Sequence, residues 1–93
     1  MGPIHVDGKN KGTIFLYALS TCGWCAKTKE LLTTLGVAFD YVFVDMLPKD
    51  EMEQTYSEML QTCNPLGSFP TLVINGKAII GYQENEIREA LAE

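Results

Sequence analysis

A chain of 93 residues, 46% apolar and 20% charged, has room for one domain around one modest core, which excludes a multidomain enzyme. Seven Lys and Arg against twelve Asp and Glu give a formal charge of -5, which repels a phosphate backbone and excludes nucleic acid as a partner. No stretch approaches the roughly 18 continuous apolar residues of a membrane span, and three cysteines cannot form the even, dense set of a secreted disulfide scaffold.

Residues 1–12, MGPIHVDGKNKG, read as an N-terminal extension within a single domain covering residues 1–93. PIHV has the pattern of a short edge strand, although Pro3 weakens it. The segment lacks the long apolar run of a secretory signal, which predicts a cytoplasmic protein whose thiols are kept reduced. Residues 13–19, TIFLYAL, are β-branched, aromatic and nearly all apolar, as in a strand covered on both faces.

At residues 24–35 helix formers take over, with Leu31, Leu32 and Leu35 on one side and Gly36 placed as the C-cap. Residues 38–44, AFDYVFV, form a second strand, with Phe39, Tyr41 and Phe43 on one face. A second helix follows, with Pro48 in its first turn and Met52, Tyr56, Met59, Leu60 and Cys63 along its apolar face. NPLGS, residues 64–68, is a loop by composition. It leads to two short apolar runs around Asn75-Gly76, a strong hairpin signal because both residues tolerate positive φ. The tail ENEIREALAE is helical, with Ile87, Ala90 and Leu91 as its buried stripe.

The order β-α-β-α-β-β-α, whose first two strands form a parallel crossover, predicts an α/β fold. Its four-stranded mixed sheet carries three helices on two faces, with the extra N-terminal strand at one edge.

The chemistry lies at the first strand-to-helix junction, in TCGWC. Cys22 precedes the helix and Cys25 lies in its first turn, so Cys22 can reach the free N–H groups and the positive end of the helix dipole, a place that favours a thiolate. Lys27 and Lys29 add charge of the same sign or are plain solvated surface. Cys22 is therefore the candidate nucleophile, and Cys25 is the thiol that releases the resulting mixed disulfide. Gly23 leaves the backbone approachable. Trp24 either offers an aromatic surface beside the nucleophile or packs on its own loop.

A zinc clip is the rival reading of CxxC. It needs four ligands as a rule, and the sequence adds only Cys63 and His5, with no second pair of compatible spacing. Cys63 otherwise reads as a small apolar packing residue, His5 as a residue of the terminal segment, and Tyr17 as core. Pro70, at the start of a strand, is open to either a cis or a trans bond.

TCGWC, SFPTLVINGK and IIGYQENEI, in that order, resemble the glutaredoxin family from residue 13 to the C-terminus. The resemblance implies the thioredoxin fold, a cis Pro70 facing Cys22 and Cys25, and disulfide exchange through that pair. It also implies that the backbone at Phe69 pairs with an extended substrate. The family's glutathione site uses a two-glycine turn, for which this chain has Gly81 followed by Tyr82. A bulky side chain there opposes a glutathione carboxylate at the helix start. The Gly81-Tyr82 segment resembles more the glutaredoxin-like redoxins that serve ribonucleotide reductase.

The expected activity is thus a dithiol-disulfide oxidoreductase acting on protein disulfides as a monomer, with no required cofactor. Its electrons are expected from thioredoxin reductase, glutathione or a ferredoxin-dependent reductase. Gly23 in place of the family's common proline leaves an alternative. Some such members hold a shared 2Fe–2S cluster with glutathione, which makes them cluster carriers.

Overall fold

The computed structural model describes residues 3–92, so Met1, Gly2 and Glu93 lie outside the described residues. In chain order the elements are β1 (Ile4–Val6), β2 (Ile14–Ala18), α1 (Gly23–Leu35), β3 (Phe39–Phe43), a 3-10 turn (Val44–Met46), α2 (Lys49–Thr62), β4 (Thr71–Ile74), β5 (Lys77–Ile80) and α3 (Glu84–Leu91). The strands form one five-stranded mixed sheet in the order β1-β3-β2-β4-β5. β2 and β3 are parallel and joined through α1, while every other pairing is antiparallel. This is the thioredoxin-like fold, four strands with a short N-terminal fifth.

Alternation along β2 divides the interior in two. Ile14, Leu16 and Ala18 point to the face covered by α1 and α3, where Leu32 and Ile87 are fully buried. Tyr17 points to the other face, against Val42, Val44 and Met59 of α2. Of the α2 face expected to be core, only Met59 is fully buried; Met52, Tyr56, Leu60 and Cys63 are half-buried.

Several boundaries differ from the expectations for local reasons. The first core strand is shorter than residues 13–19, because the Thr13 N–H bonds to Asn75 Oδ1 at 2.9 Å and Leu19 has turned its carbonyl to the Cys22 N–H at 3.2 Å. The second is shorter than residues 38–44. Val44 opens the 3-10 turn, and the Ala38 N–H bonds to Lys9 O at 2.8 Å. α1 begins at Gly23, one residue earlier than 24. Pro48 is the N-cap of α2 and not a residue of its first turn: its ψ of 152 is extended, and its carbonyl accepts from Met52 N at 2.8 Å.

The hairpin turn is as the sequence requires. Asn75 and Gly76 have φ of 49 and 86, and the Asn75 side chain also bonds to Thr13 N and Lys11 O. Gly36 ends α1 in the left-handed region, φ 73, with its N–H on Thr33 O. No helix among the described residues is long and apolar enough to cross a membrane.

Candidate functional site

Parallel β2 and β3 end on the same side of the sheet, and antiparallel β4 begins there, with Thr71 opposite Tyr17. β5 ends there too, since Ile80 lies opposite Thr71. The segments that follow or precede these ends therefore converge: Ser20 to Cys25, Asp45, Phe69-Pro70 and Gly81-Tyr82.

Cys22 is the N-cap of α1. Its backbone is extended, with φ -93 and ψ 115, and its Sγ accepts the Cys25 N–H at 3.1 Å. The first turn carries no acidic residue to oppose negative charge on that sulfur. The two thiols differ in burial: Cys22 is half-buried, whereas Cys25 is 2% exposed and packs in the core beneath it. Burial, and then the hydrogen bond to the Cys22 sulfur, push the Cys25 thiol up to about 12, while the backbone N–H of Leu19 pulls the other way. Both thiols are free.

A cavity of about 350 Å³ borders both cysteines and is lined also by Leu16, Ala18, Phe43 and Lys29. Lys29 places its ammonium 4.5 Å from the centre of the Tyr41 ring. Lys27 lies on the other side of α1, around a depression shared with Glu30, Tyr82, Glu84 and Arg88. Gly23 faces open space, with no atom within 4 Å of where a Cβ would stand. Trp24 is 59% exposed yet not idle, since its ring stacks on Tyr82 with centroids 5.6 Å apart and an interplanar angle of 23°. Trp24 thus keeps an exposed ring surface, and it packs on Tyr82 and not on its own loop.

The Phe69–Pro70 peptide bond is cis, and Pro70 O accepts the Gly81 N–H at 2.9 Å. Residues 64–68, read from sequence only as a loop, are held by two groups that the sequence reading missed or misassigned. Asn64 is fully buried, and its Nδ2 donates to Ser68 O at 3.1 Å and Thr71 Oγ1 at 2.9 Å, while its Oδ1 accepts from Leu66 N at 2.9 Å. Tyr56, expected as simple core, donates its hydroxyl to Gly67 O at 3.1 Å and stacks on Phe69 at 6.0 Å. Gly67 has φ +70, and a Cβ there would stand 2.2 Å from the Tyr56 hydroxyl, so the close approach itself requires glycine. Asp45, also missed from sequence, acts on the segment before Cys22 instead: its carboxylate accepts from Ser20 N at 2.9 Å and Ser20 Oγ at 2.5 Å. Those bonds hold it below the usual carboxylate range. An Asp directly after an apolar strand was the available signal.

His5 and Cys63, the extra ligands a metal clip would need, lie apart. His5 belongs to β1, with Nδ1 2.6 Å from Asp40 Oδ1 and Nε2 3.1 Å from Asp7 Oδ1. Cys63 caps the end of α2, 3.1 Å from Thr62 Oγ1, and packs against the opposite face of the sheet. Among the described residues no three His, Cys, Asp or Glu converge as metal ligands.

Two neighbouring cysteines at a helix start, beside a cis-proline at the end of a thioredoxin-like sheet, define a thiol redox protein. Comparison with known proteins narrows the class. The Glutaredoxin family model matches residues 14–79. A glutaredoxin-like 8.6 kDa protein of a rubredoxin operon in Clostridium pasteurianum is 32% identical over 74 residues, 80% of this chain and 91% of that protein. A glutaredoxin from Methanosarcina mazei is 52% identical with a TM-score of 0.88, over 98% of this chain and 88% of its own. Methanoredoxin from Methanosarcina acetivorans is 50% identical with a TM-score of 0.88, over 92% and 90%. The chain belongs to the glutaredoxin family.

Proposed function

We propose that the chain is a dithiol-disulfide oxidoreductase that reduces protein disulfides through Cys22 and Cys25. The observation that carries this reading is the asymmetry of the pair: Cys22 Sγ sits at the helix start under the Cys25 N–H, while the Cys25 thiol is buried and holds its proton. Cys22, as thiolate, attacks one sulfur of the target disulfide. A Cys22–target bond forms, and the other target sulfur leaves as a thiolate that takes up a proton. Cys25 then loses its proton and attacks Cys22 Sγ, the Cys22–Cys25 disulfide forms, and the second target thiol departs. Two electrons have passed to the target, with one proton from Cys25 and one from solvent, and an external reductase must return the electrons to the pair.

Phe69, next to the cis bond, supplies the backbone against which an extended substrate lies, and Gly23 keeps the approach to Cys22 open. Tyr82, stacked on Trp24, takes up the space beside Gly81 that a glutathione carboxylate needs, which supports a protein reductase as electron source. Thioredoxin reductase and a ferredoxin-dependent reductase are the two candidates. A shared 2Fe–2S cluster would draw only Cys22 from this chain and the remaining ligands from glutathione and a second copy. The same Trp24–Tyr82 pair narrows that glutathione approach, so the residues present suit the dithiol role better.

The test is a pair of substitutions and a comparison of reductants. Cys22→Ser is expected to abolish disulfide reduction and Cys25→Ser to accumulate a mixed disulfide; full activity in the first variant refutes the assignment. The oxidised protein is expected to be reduced faster by thioredoxin reductase or a ferredoxin-dependent reductase than by glutathione with glutathione reductase. Tyr82→Gly should raise the glutathione rate. Rapid glutathione turnover by the unaltered protein would overturn the reading of Tyr82, and visible absorption from a glutathione-dependent dimer would favour the cluster carrier.

A further inference from the structure

The geometry points to Asp45 as a positioning residue for the dithiol: its carboxylate, delivered by the parallel neighbouring strand, fixes the turn that presents Cys22 at the start of α1. The inference rests on Cys22 as the nucleophile and adds what holds that nucleophile in place.

Register brings the two segments together. Ala18 lies opposite Phe43 in the parallel β2–β3 pair. Asp45, two residues past Phe43, thereby falls beside Ser20, two residues past Ala18. Both carboxylate oxygens are then used on one residue, Oδ1 on the Ser20 N–H at 2.9 Å and Oδ2 on the Ser20 hydroxyl at 2.5 Å. Two charge-assisted bonds to a backbone group and a side chain of the same residue fix its orientation as well as its position. The base of the tether is firm, because Val44, the preceding residue, is 3% exposed in the core on the α2 face.

Ser20 lies between the two groups that determine where the sulfurs lie. On one side is Leu19, whose carbonyl accepts the Cys22 N–H at 3.2 Å and whose own N–H faces the Cys25 sulfur. On the other side the chain reaches Cys22 after one residue, and there Sγ must meet the Cys25 N–H at 3.1 Å. Fixing Ser20 therefore fixes Leu19 and the N-cap together. Ser20 and Asp45 are both exposed, so their bonds contribute little to overall stability. Their effect is expected on the placement of the nucleophile.

The experiment uses the full chain in a Cys25→Ser background, where only the first step occurs. The second-order rate of mixed-disulfide formation with an aromatic disulfide reagent is measured for Asp45→Ala, Asp45→Asn and Ser20→Ala, each with its thermal midpoint. Asp45→Ala is expected to slow attack about tenfold or more, as a misplaced reacting atom does. Ser20→Ala keeps the N–H bond and should lose about threefold. Asp45→Asn still offers an oxygen to the Ser20 N–H and should recover to within about threefold of the parent, a rescue that a loss of general stability does not produce. An Asp45→Ala rate equal to the parent's overturns the inference, as do equal losses in Ala and Asn, which would assign the effect to charge and not to the tether. Should Asp45→Ala not fold, an unchanged Ser20→Ala rate overturns it. A parent protein that forms no mixed disulfide sinks the assignment of Cys22 instead.

Discussion

Burial makes Cys25 a poor acid, and the sign of that effect can be followed into stability. Its thiol is raised from an ordinary 9.0 to about 12, so between those values the folded protein keeps a proton that the unfolded chain has lost. Stability from this group is full below about pH 9 and falls as pH climbs toward 12. Tyr17, raised from 10.0 to about 12 mainly by burial, adds a loss of the same sign in the upper part of that window. Urea midpoints of the reduced protein should therefore hold near neutrality and decline above about pH 9. The oxidised protein, lacking the Cys25 proton, should decline later; parallel curves for the two forms would show that Cys25 has no part in it. Asn64 makes a second case, because its buried amide satisfies Ser68, Thr71 and Leu66 at once. Asn64→Ala removes these bonds and takes the acceptor from the Leu66 N–H, while Thr71 Oγ1 keeps its own bond to Ser68 O at 2.8 Å, so it should cost about 1–2 kcal/mol in a denaturation titration. The sequence marked residues 64–68 as a loop by composition alone, since nothing local distinguishes an Asn that is solvated from one that organises its own turn.

β1 shows how far an element can depend on a titrating contact. Three residues pair with β3, Ile4 with Tyr41 through Val6 with Phe39, and His5 joins the two strands through Asp40. The bond to Asp40, with the charges of Asp40 and Asp7, raises the histidine above its ordinary 6.5. A raised histidine stabilises the folded arrangement fully below that ordinary value and ceases to do so as pH rises through the folded one. Amide exchange at Ile4 and Val6 should accordingly speed up across that interval more than alkali alone explains, and His5→Gln should remove the step. Elements were legible in the sequence where their signals are local: apolar alternation in β2 and β3, Asn75-Gly76 for the hairpin, Gly36 for the end of α1. They were less so where a distant group decides. Thr13 leaves β2 because Asn75 takes its N–H, and Ala38 stays outside β3 with its N–H on Lys9 O.

Across the whole molecule, two cores lie on the two faces of one sheet, and Phe69 packs against both. The larger core centres on Leu16, which is fully buried. Leu16→Ala should cost about 2–5 kcal/mol by loss of burial and the cavity left behind, a large share of the roughly 5–15 kcal/mol expected of a domain. A urea titration measures it, and a cost below about 1 kcal/mol would mean the site collapses freely. The candidate site was legible in its covalent part, CGWC at a strand-to-helix junction, and the family resemblance supplied the cis-proline. Asp45, Tyr56 and Asn64 were not, because their roles exist only once parallel strands and a returning loop bring their ends together.

The stacking of Trp24 on Tyr82 has a practical consequence. The chain has a single indole, two residues from Cys22, 59% exposed and 5.6 Å from a phenol ring. Its fluorescence therefore comes entirely from the doorstep of the thiols, and quenching by a newly formed disulfide or shielding by an arriving partner can be followed in real time without any label.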